Sequence, residues 1–411
     1  MTGFVHCYLW NVTLVRIKAM QIANGVHWVG ALDPNLRIFD IIMQTERGTT
    51  YNAYLVQGQK SALIETVKAG FTQNLLKNLS GLIDLKSLDY IVINHAEPDH
   101  SGALAALLDL APQVQVLASR AGCMFCKEIV NRPFNCREVK DGEELDLGGK
   151  RLKFILAPFL HWPDSIFTYL VEDRILFTCD AFGAHYCGEC QLFADQIKID
   201  GQLEAFKYYY DHILRPFKEY VLQALDKIET LPLKIIAPSH GPLLRRNLDE
   251  YKNLYRQWSQ LVKTDPRKAV IVFVSAYGNT KAMARAIGEG LKAGGKGISI
   301  HDATLADFNQ LRDEIEGAQA LLIGSPTINY DALKPVWDVL SNLATIKLKG
   351  KIGAAFGSYG WSGEAVPMLT QRMRDLKMNV AVPGMRCLLV PTESNLEECR
   401  LWGQKIAEMM G

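Results

Sequence analysis

Tyr90-Ile91-Val92-Ile93-Asn94-His95-Ala96-Glu97-Pro98-Asp99-His100 is an apolar strand pattern that runs directly into two imidazoles and two carboxylates, ahead of the helical pattern Gly102 to Leu110. Donors crowded at a strand end point to a metal site; the competing reading is a charged loop capping the helix, with Asp99 near its N-cap. The strand-end signal recurs three times: His161 follows Phe154 to Leu160, Asp180 follows Ile175 to Cys179, and His240 follows Ile235 to Ser239. One such histidine is ordinary, but four strand ends together define a site. The candidate ligands, which are also the candidate catalytic residues, are His95, Glu97, Asp99, His161, Asp180 and His240, with His100 as a candidate seventh. That set exceeds the four positions of a tetrahedral zinc site. Nitrogen and carboxylate donors in this number suit two harder, redox-capable ions sharing a bridging carboxylate, with iron or manganese ahead of copper.

Upstream, Gly25 to Gly30, Ile38 to Gln44, Thr50 to Gln57 and Ser61 to Thr66 read as short strands of an antiparallel or mixed sheet. Downstream, strands such as Val114 to Leu117 and Leu152 to Leu156 alternate with helices. A long helical pattern, Leu203 to Leu225, is expected to kink or break at Pro216. The polar joint Thr264-Asp265-Pro266-Arg267 follows the helical Asn247 to Val262 and divides the chain. Beyond it, five strand–helix repeats between Ala269 and Met410 predict a doubly wound parallel sheet. The class is α/β, with expected boundaries of 20–264 for the metal domain and 265–411 for the second domain. Residues 1–19 read as a loose extension or a mis-called start, since Arg16 and Lys18 follow the apolar stretch where a secretory signal has them first.

The first strand of the second domain leads into Ser275-Ala276-Tyr277-Gly278-Asn279-Thr280, which opens a helix. Hydroxyls and backbone N–H groups at a helix N-terminus suit a phosphate dianion, although a plain polar turn is the alternative reading of this hexapeptide alone. Neither a G-x-x-x-x-G-K-[ST] nor a G-x-G-x-x-G pattern is present, so a nucleoside triphosphate and a dinucleotide are disfavoured and FMN is expected. Two further strand-end loops strengthen the case. Pro326, Thr327, Ile328 and Asn329 lie in one; Ser358, Tyr359, Gly360, Trp361 and Gly363 lie in the other, with Tyr359 or Trp361 available to stack on a flat ring.

Forty-five basic residues against 44 acidic ones give no net field for nucleic acid or an anionic membrane, and no apolar run reaches the about 18 residues of a membrane span. Nine scattered cysteines do not resemble a disulfide framework and suggest a reducing cytoplasm. The Cys123/Cys126 and Cys187/Cys190 pairs have zinc-ligand spacing, but neither is followed by the glycine of a C-x-x-C-G knuckle, so inert thiols are the favoured reading.

The metal motif resembles that of the metallo-β-lactamase fold, whose hydrolases use His-x-His-x-Asp-His; here Glu97 stands at the second histidine. With Glu97, and with Leu160-His161-Trp162-Pro163-Asp164-Ser165, Asp180-Ala181-Phe182-Gly183 and Ser239-His240-Gly241, the chain from about Met20 onward resembles the flavodiiron proteins, or A-type flavoproteins. The three loops of the second domain resemble those of flavodoxins. The resemblance implies a metallo-β-lactamase-like αββα domain followed by a flavodoxin-like domain. It places His95, Glu97 and His161 on one iron and Asp99 and His240 on the other, with Asp180 bridging; His100 is a ligand in some members only. It further implies reduction of O2 to water or of NO to N2O with electrons from FMN, in a head-to-tail homodimer or dimer of dimers. Since neither a rubredoxin nor a flavin reductase domain follows Gly411, the expected donor is external: a rubredoxin-like protein, a flavin reductase or a reduced deazaflavin. The rival readings are a zinc-dependent hydrolase, which Glu97 disfavours, and an FMN electron carrier or redox sensor with an inactive metal site, which the full ligand set disfavours.

Overall fold

The computed structural model describes residues 18–41, 43–188, 191–197 and 201–411. The expected extension 1–19 therefore lies almost wholly outside the described residues. The chain divides into two compact units between Gln260 and Leu261, and the first strand of the second unit opens at Asp265.

In the first unit a seven-stranded mixed sheet runs in the order Met20–Ala23, Val26–Trp28, Tyr54–Gln57, Ser61–Ile64, Tyr90–Val92, Gln115–Ala118, Cys136–Glu138. A five-stranded sheet follows as Glu144–Asp146, Arg151–Leu156, Ile166–Leu170, Ile175–Cys179, Ile235–Pro238. Side chains alternate along each strand, so consecutive residues join different cores. Val92, Phe154 and Phe177 fill the space between the sheets, while their neighbours Ile91, Ile155 and Leu176 face the flanking helices. Both sheets are thus buried on both faces, giving helix, sheet, sheet and helix layers.

Two expected strands are interrupted, each for a reason connected with the ligand loops. Thr50 to Gln57 divides into Thr49–Tyr51 and Tyr54–Gln57. Between them Asn52 leaves the ladder: its N–H donates to the Ser239 carbonyl (2.8 Å) and its side chain donates to Pro238 O (2.8 Å) and Gly241 O (2.9 Å). Likewise Ile38 to Gln44 is a hairpin of Ile38–Phe39 and Met43–Gln44, turned through Asp40 and Ile41 at positive φ. The helical pattern around Pro216 breaks as expected, into Gln202–Tyr209, a π-helical turn Tyr210–Leu214, a 3-10 turn Arg215–Phe217 and the helix Lys218–Ile228.

The second unit is a five-stranded parallel sheet in the order Gly297–Asp302, Asp265–Phe273, Ala318–Gly324, Ile352–Tyr359, Met385–Leu388. Numbered along the chain this order is 2-1-3-4-5, the flavodoxin-like doubly wound topology, with its switch point beside the first and third strands. Buried Lys351 closes one end of the unit: its ammonium donates to the carbonyls of Glu316 (2.8 Å) and Ala318 (2.5 Å). Burial, opposed by the Glu316 carboxylate, pushes this lysine from 10.5 down to about 8. The unfolded chain then holds the proton more tightly than the folded one, so stability rises as pH climbs from about 8 toward 10.5. We predict that Lys351→Met flattens this rise in urea-unfolding experiments across that range; an unchanged slope would remove Lys351 as its source.

Candidate metal and flavin sites

The ligand-bearing loops all leave the same edge of the two sheets, and the structure brings every metal-site residue expected from the sequence together. Nε2 of His95 and Nε2 of His161 lie 3.1 and 2.9 Å from the same Glu97 oxygen. Nε2 of His240 lies 2.9 Å from Asp99 Oδ2. Asp180 stands between the two groups. Its Oδ2 is 3.6 Å from His95 Nε2 and 3.7 Å from His161 Nε2, whereas its Oδ1 is 3.6 Å from His240 Nε2 and 3.3 Å from His100 Nε2. One carboxylate therefore presents one oxygen to each of two donor sets. His100 belongs with the second: its Nε2 is also 3.4 Å from Asp99 Oδ1.

Outer partners fix the orientation of these rings. Nδ1 of His95 is 3.1 Å from Asp164, whose other oxygen accepts the Ala96 N–H at 2.6 Å. Nδ1 of His100 is 3.3 Å from Glu65, and Nδ1 of His240 donates to the Thr50 carbonyl at 2.7 Å. Glu65 also accepts the backbone N–H groups of Asn94 and His95, so one buried carboxylate holds the start of the ligand loop and one of its rings. With a carboxylate or carbonyl oxygen beside each Nδ1, Nε2 is directed into the site, the arrangement expected of metal-bound histidine. The Tyr209 hydroxyl donates to Asp180 Oδ1 at 2.7 Å.

Electrostatics make the pocket a cation site. Asp99, Asp180 and His100 are buried, yet both Asp99 oxygens and His100 Nε2 make no hydrogen bond. Such groups are costly to bury unless something else satisfies them. Burial opposes charge on His95, but the Asp164 and Glu97 carboxylates outweigh it and push the imidazole up to about 10. Burial likewise opposes ionisation of Asp180, and His100 facing it holds the carboxyl well below its ordinary range. Protons on these imidazoles offset the same carboxylate charge that metal cations would offset. The donors fit two such ions, since carboxylate and imidazole groups converge; the Cys179 sulfur lies 3.8 Å from both His100 Nδ1 and Asp180 Oδ2, beside these donors.

Several of these residues were not singled out from the sequence. Glu65 ends the apolar strand pattern Ser61 to Thr66 and carries the same strand-end signal that identified His161. Asp164 sat in the Leu160 to Ser165 flank. Tyr209 and His185 had no local signal: Tyr209 lies within a helix, and His185 is placed by tertiary packing. Burial, then the nearby His240, pushes His185 down to about 3, so it is neutral at ordinary pH. Its Nδ1 is 3.1 Å from the Thr49 hydroxyl, and its ring packs tilted at 35° and 4.4 Å from that of Phe39, on the hairpin noted above.

In the second unit Ser275, Ala276, Tyr277, Asn279, Pro326, Thr327, Ile328, Ser358, Tyr359 and Gly360 line one cavity at the carboxyl edge of the sheet, together with Leu389, which the sequence did not indicate. Gly278 makes the turn into the helix Asn279–Ala293 at φ +86°, a conformation costly for other residues. Buried Thr280 sits behind the loop with its hydroxyl 3.0 Å from that of Ser358. A side chain at Gly357 would collide with the Ser325 carbonyl at 2.0 Å, so the two ring-flanking loops approach as closely as they do because glycine stands there. Asn329, Trp361 and Gly363 fall outside the cavity lining. Trp361 is 72 % exposed and packs on Tyr330 at 5.1 Å, leaving Tyr359 as the lining aromatic of its loop.

The C-x-x-C pairs take other forms. Cys123 is joined to Cys136 by a disulfide, which corrects the inert-thiol reading for Cys123, while Cys126 is the buried free thiol expected and no zinc site forms at the pair. Cys190 lies outside the described residues. No described helix is long and apolar enough to cross a membrane.

Residues 49–241 match the ODP family beta lactamase, and residues 271–403 match flavodoxin. Flavo-diiron protein FprA2 of Clostridium acetobutylicum is 44 % identical over 399 residues, covering 95 % of this chain and 100 % of that protein. A nitric oxide reductase of Moorella thermoacetica is 39 % identical over 395 residues, covering 95 % and 98 %. Among solved structures, rubredoxin oxygen:oxidoreductase from Desulfovibrio gigas superposes with a TM-score of 0.72 at 31 % identity, covering 96 % of this chain and 98 % of that one. With the αββα layers, the 2-1-3-4-5 sheet and full-length identity of this order, the chain belongs to the flavodiiron protein family.

Proposed function

We propose that the chain is an oxidoreductase that reduces a diatomic molecule, O2 to water or NO to N2O, at a non-haem diiron site supplied with electrons by FMN. The observation that carries this reading is the division of the two Asp180 oxygens between two complete donor sets, in a family where a flavodoxin-like domain accompanies the metal domain. In this reading His95, Glu97 and His161 would hold one iron and Asp99, His100 and His240 the other, with Asp180 offering one oxygen to each set. His100 is included because its Nε2 lies 3.3 Å from Asp180 and 3.4 Å from Asp99, with the Glu65 carboxylate 3.3 Å from its Nδ1. The relatives named a nitric oxide reductase and a rubredoxin oxygen:oxidoreductase support the two substrates. When bound, the irons supply diatomic binding and the FMN supplies electrons.

The chain's own residues provide position and charge. Glu97, in the place of the hydrolase imidazole, adds an anionic donor that favours iron over zinc. Tyr209 holds Asp180 through a hydrogen bond and offers a hydroxyl proton at the midpoint of the site. Phe39, Tyr51 and His185, all buried, pack beside His240 and keep water from that side. In the flavodoxin-like unit, Ser275 to Thr280 would hold the phosphate, and Pro326 to Ile328 with Ser358 to Gly360 would hold the ring, Tyr359 being the aromatic available to it.

The test is metal and flavin content per chain on protein from iron-replete cells, followed by anaerobic O2 and NO consumption with chemically reduced flavin. Asp180→Ala should lose iron and turnover while keeping FMN, and unchanged iron would remove Asp180 from the site. Asp164→Ala should weaken iron binding ~10–100-fold by freeing the His95 ring and the Ala96 turn that it holds; wild-type retention under a chelator would contradict this. Thr280→Val should weaken FMN without disturbing iron, and unaltered flavin affinity would undercut the phosphate-loop assignment.

The working assembly in this proposal is a cytoplasmic head-to-tail homodimer, or a dimer of dimers, in which FMN of one subunit serves the irons of the other, with electrons arriving from a rubredoxin-like protein, a flavin reductase or a reduced deazaflavin. Co-refolding an Asp180→Ala chain with a Thr280→Val chain should then restore part of the activity that each lacks alone. No restoration in verified mixed dimers would place the electron path within one chain.

A further inference from the structure

The Cys123–Cys136 bridge joins two elements that meet behind the first donor set. Cys123 lies in the helix Arg120–Val130 and Cys136 opens the edge strand Cys136–Glu138; their Cα atoms are 6.0 Å apart, within the range a disulfide spans. Between them runs a largely exposed connection, and Cys136 is partly exposed where Cys123 is buried, so a small thiol approaches the bridge from the Cys136 side.

The same helix supports the metal ligands. Its N-cap Ser119 donates to the Asp164 carbonyl at 2.7 Å, and Gly122 packs against the Asp164 side chain, where an added Cβ would stand 3.8 Å from that of Asp164. Phe125 packs edge-on against Trp162 at 6.0 Å, and Trp162 in turn meets His95 at 5.0 Å. Asp164 is the residue that fixes His95. The bridge thus pins the helix one turn from the residues that orient an iron ligand.

We propose that Cys123 and Cys136 are a reversible thiol–disulfide couple, a modification site for low-molecular-weight thiols and disulfides, whose oxidised form braces the helix behind the first donor set. In the oxidising direction the Cys136 thiolate attacks one sulfur of a small disulfide and expels the first thiolate, which takes up a proton. The Cys123 thiolate then attacks the Cys136 sulfur of the mixed disulfide, forms the protein S–S bond and expels the second thiolate. Two protein thiols are oxidised and one small disulfide is reduced to two thiols; excess thiol runs the sequence backwards, with Cys136 the exposed point of entry. Cys123, in the first turns of its helix, is the better leaving thiolate. Buried Cys126, one turn further on, is excluded from the exchange, since burial pushes its thiol up to about 12.

The experiment is differential alkylation and intact mass on the full-length holoenzyme equilibrated in glutathione buffers of graded thiol-to-disulfide ratio. The expected result is one two-electron transition assigned to Cys123 and Cys136, present in wild type and in a Cys399→Ala control, and absent in Cys136→Ala. Two free thiols in every buffer, or a bridge that resists all of them in the folded protein, would overturn the couple. On the same samples, iron release to a chelator should be at least several-fold slower from the oxidised than from the reduced form. Equal release rates would overturn the brace. Only this second arm rests on the diiron reading; the alkylation arm stands without iron.

Discussion

Asp180 is a buried carboxylate with a donor set on each side, and the rest of the first unit is arranged around the problem it poses. Bringing Glu97, Asp99 and Asp180 into one pocket is prohibitive unless cations accompany them. The imidazoles partly serve that purpose when protonated, as the raised His95 shows, but both Asp99 oxygens and the inner nitrogen of His100 still lack hydrogen bonds. Two metal ions resolve this shortfall. The fold is therefore completed by its cofactor, with metal binding and stability linked.

Such a site needs rigid placement, and the structure supplies it by holding three of the ligand imidazoles against oxygens of other segments. Thr50 receives His240, Glu65 holds both the Asn94 turn and His100, and Asp164 holds Ala96 and His95. These partners come from loops far apart in sequence that meet only because both sheets end at one edge. Strand interruptions that look like defects in the ladder serve the same end. Asn52 gives up strand pairing to bond the loop carrying His240, and the Phe39 hairpin covers that histidine's neighbour His185.

Much of this was legible in the sequence because strand-end chemistry is local. Apolar runs ending in His95, His161, Asp180 and His240 can be read without knowing which strands pair, and the regular strand–helix alternation after Ala269 gives the second unit's topology. What depends on pairing was less legible. Thr50 to Gln57 has the pattern of one strand, yet tertiary hydrogen bonds at Asn52 divide it. Tyr209 carries no pattern that distinguishes a residue facing a metal site from one facing a core. The favoured reading of Cys123 and Cys126 was a pair of inert thiols, whereas Cys123 meets Cys136 of the edge strand in a disulfide. Trp361 is exposed beyond the cavity, since the aromatic nearest the ring position is set by loop geometry and not by residue type.

The central claim is that two irons share one carboxylate. Electron paramagnetic resonance of the holoenzyme during stepwise anaerobic reduction tests it most directly. The account predicts a half-reduced state with the signal of an exchange-coupled, mixed-valence iron pair, which disappears on full reduction and is absent in Asp180→Ala. A signal from isolated high-spin ferric iron that simply fades on reduction, with no coupled intermediate, would contradict the bridged site.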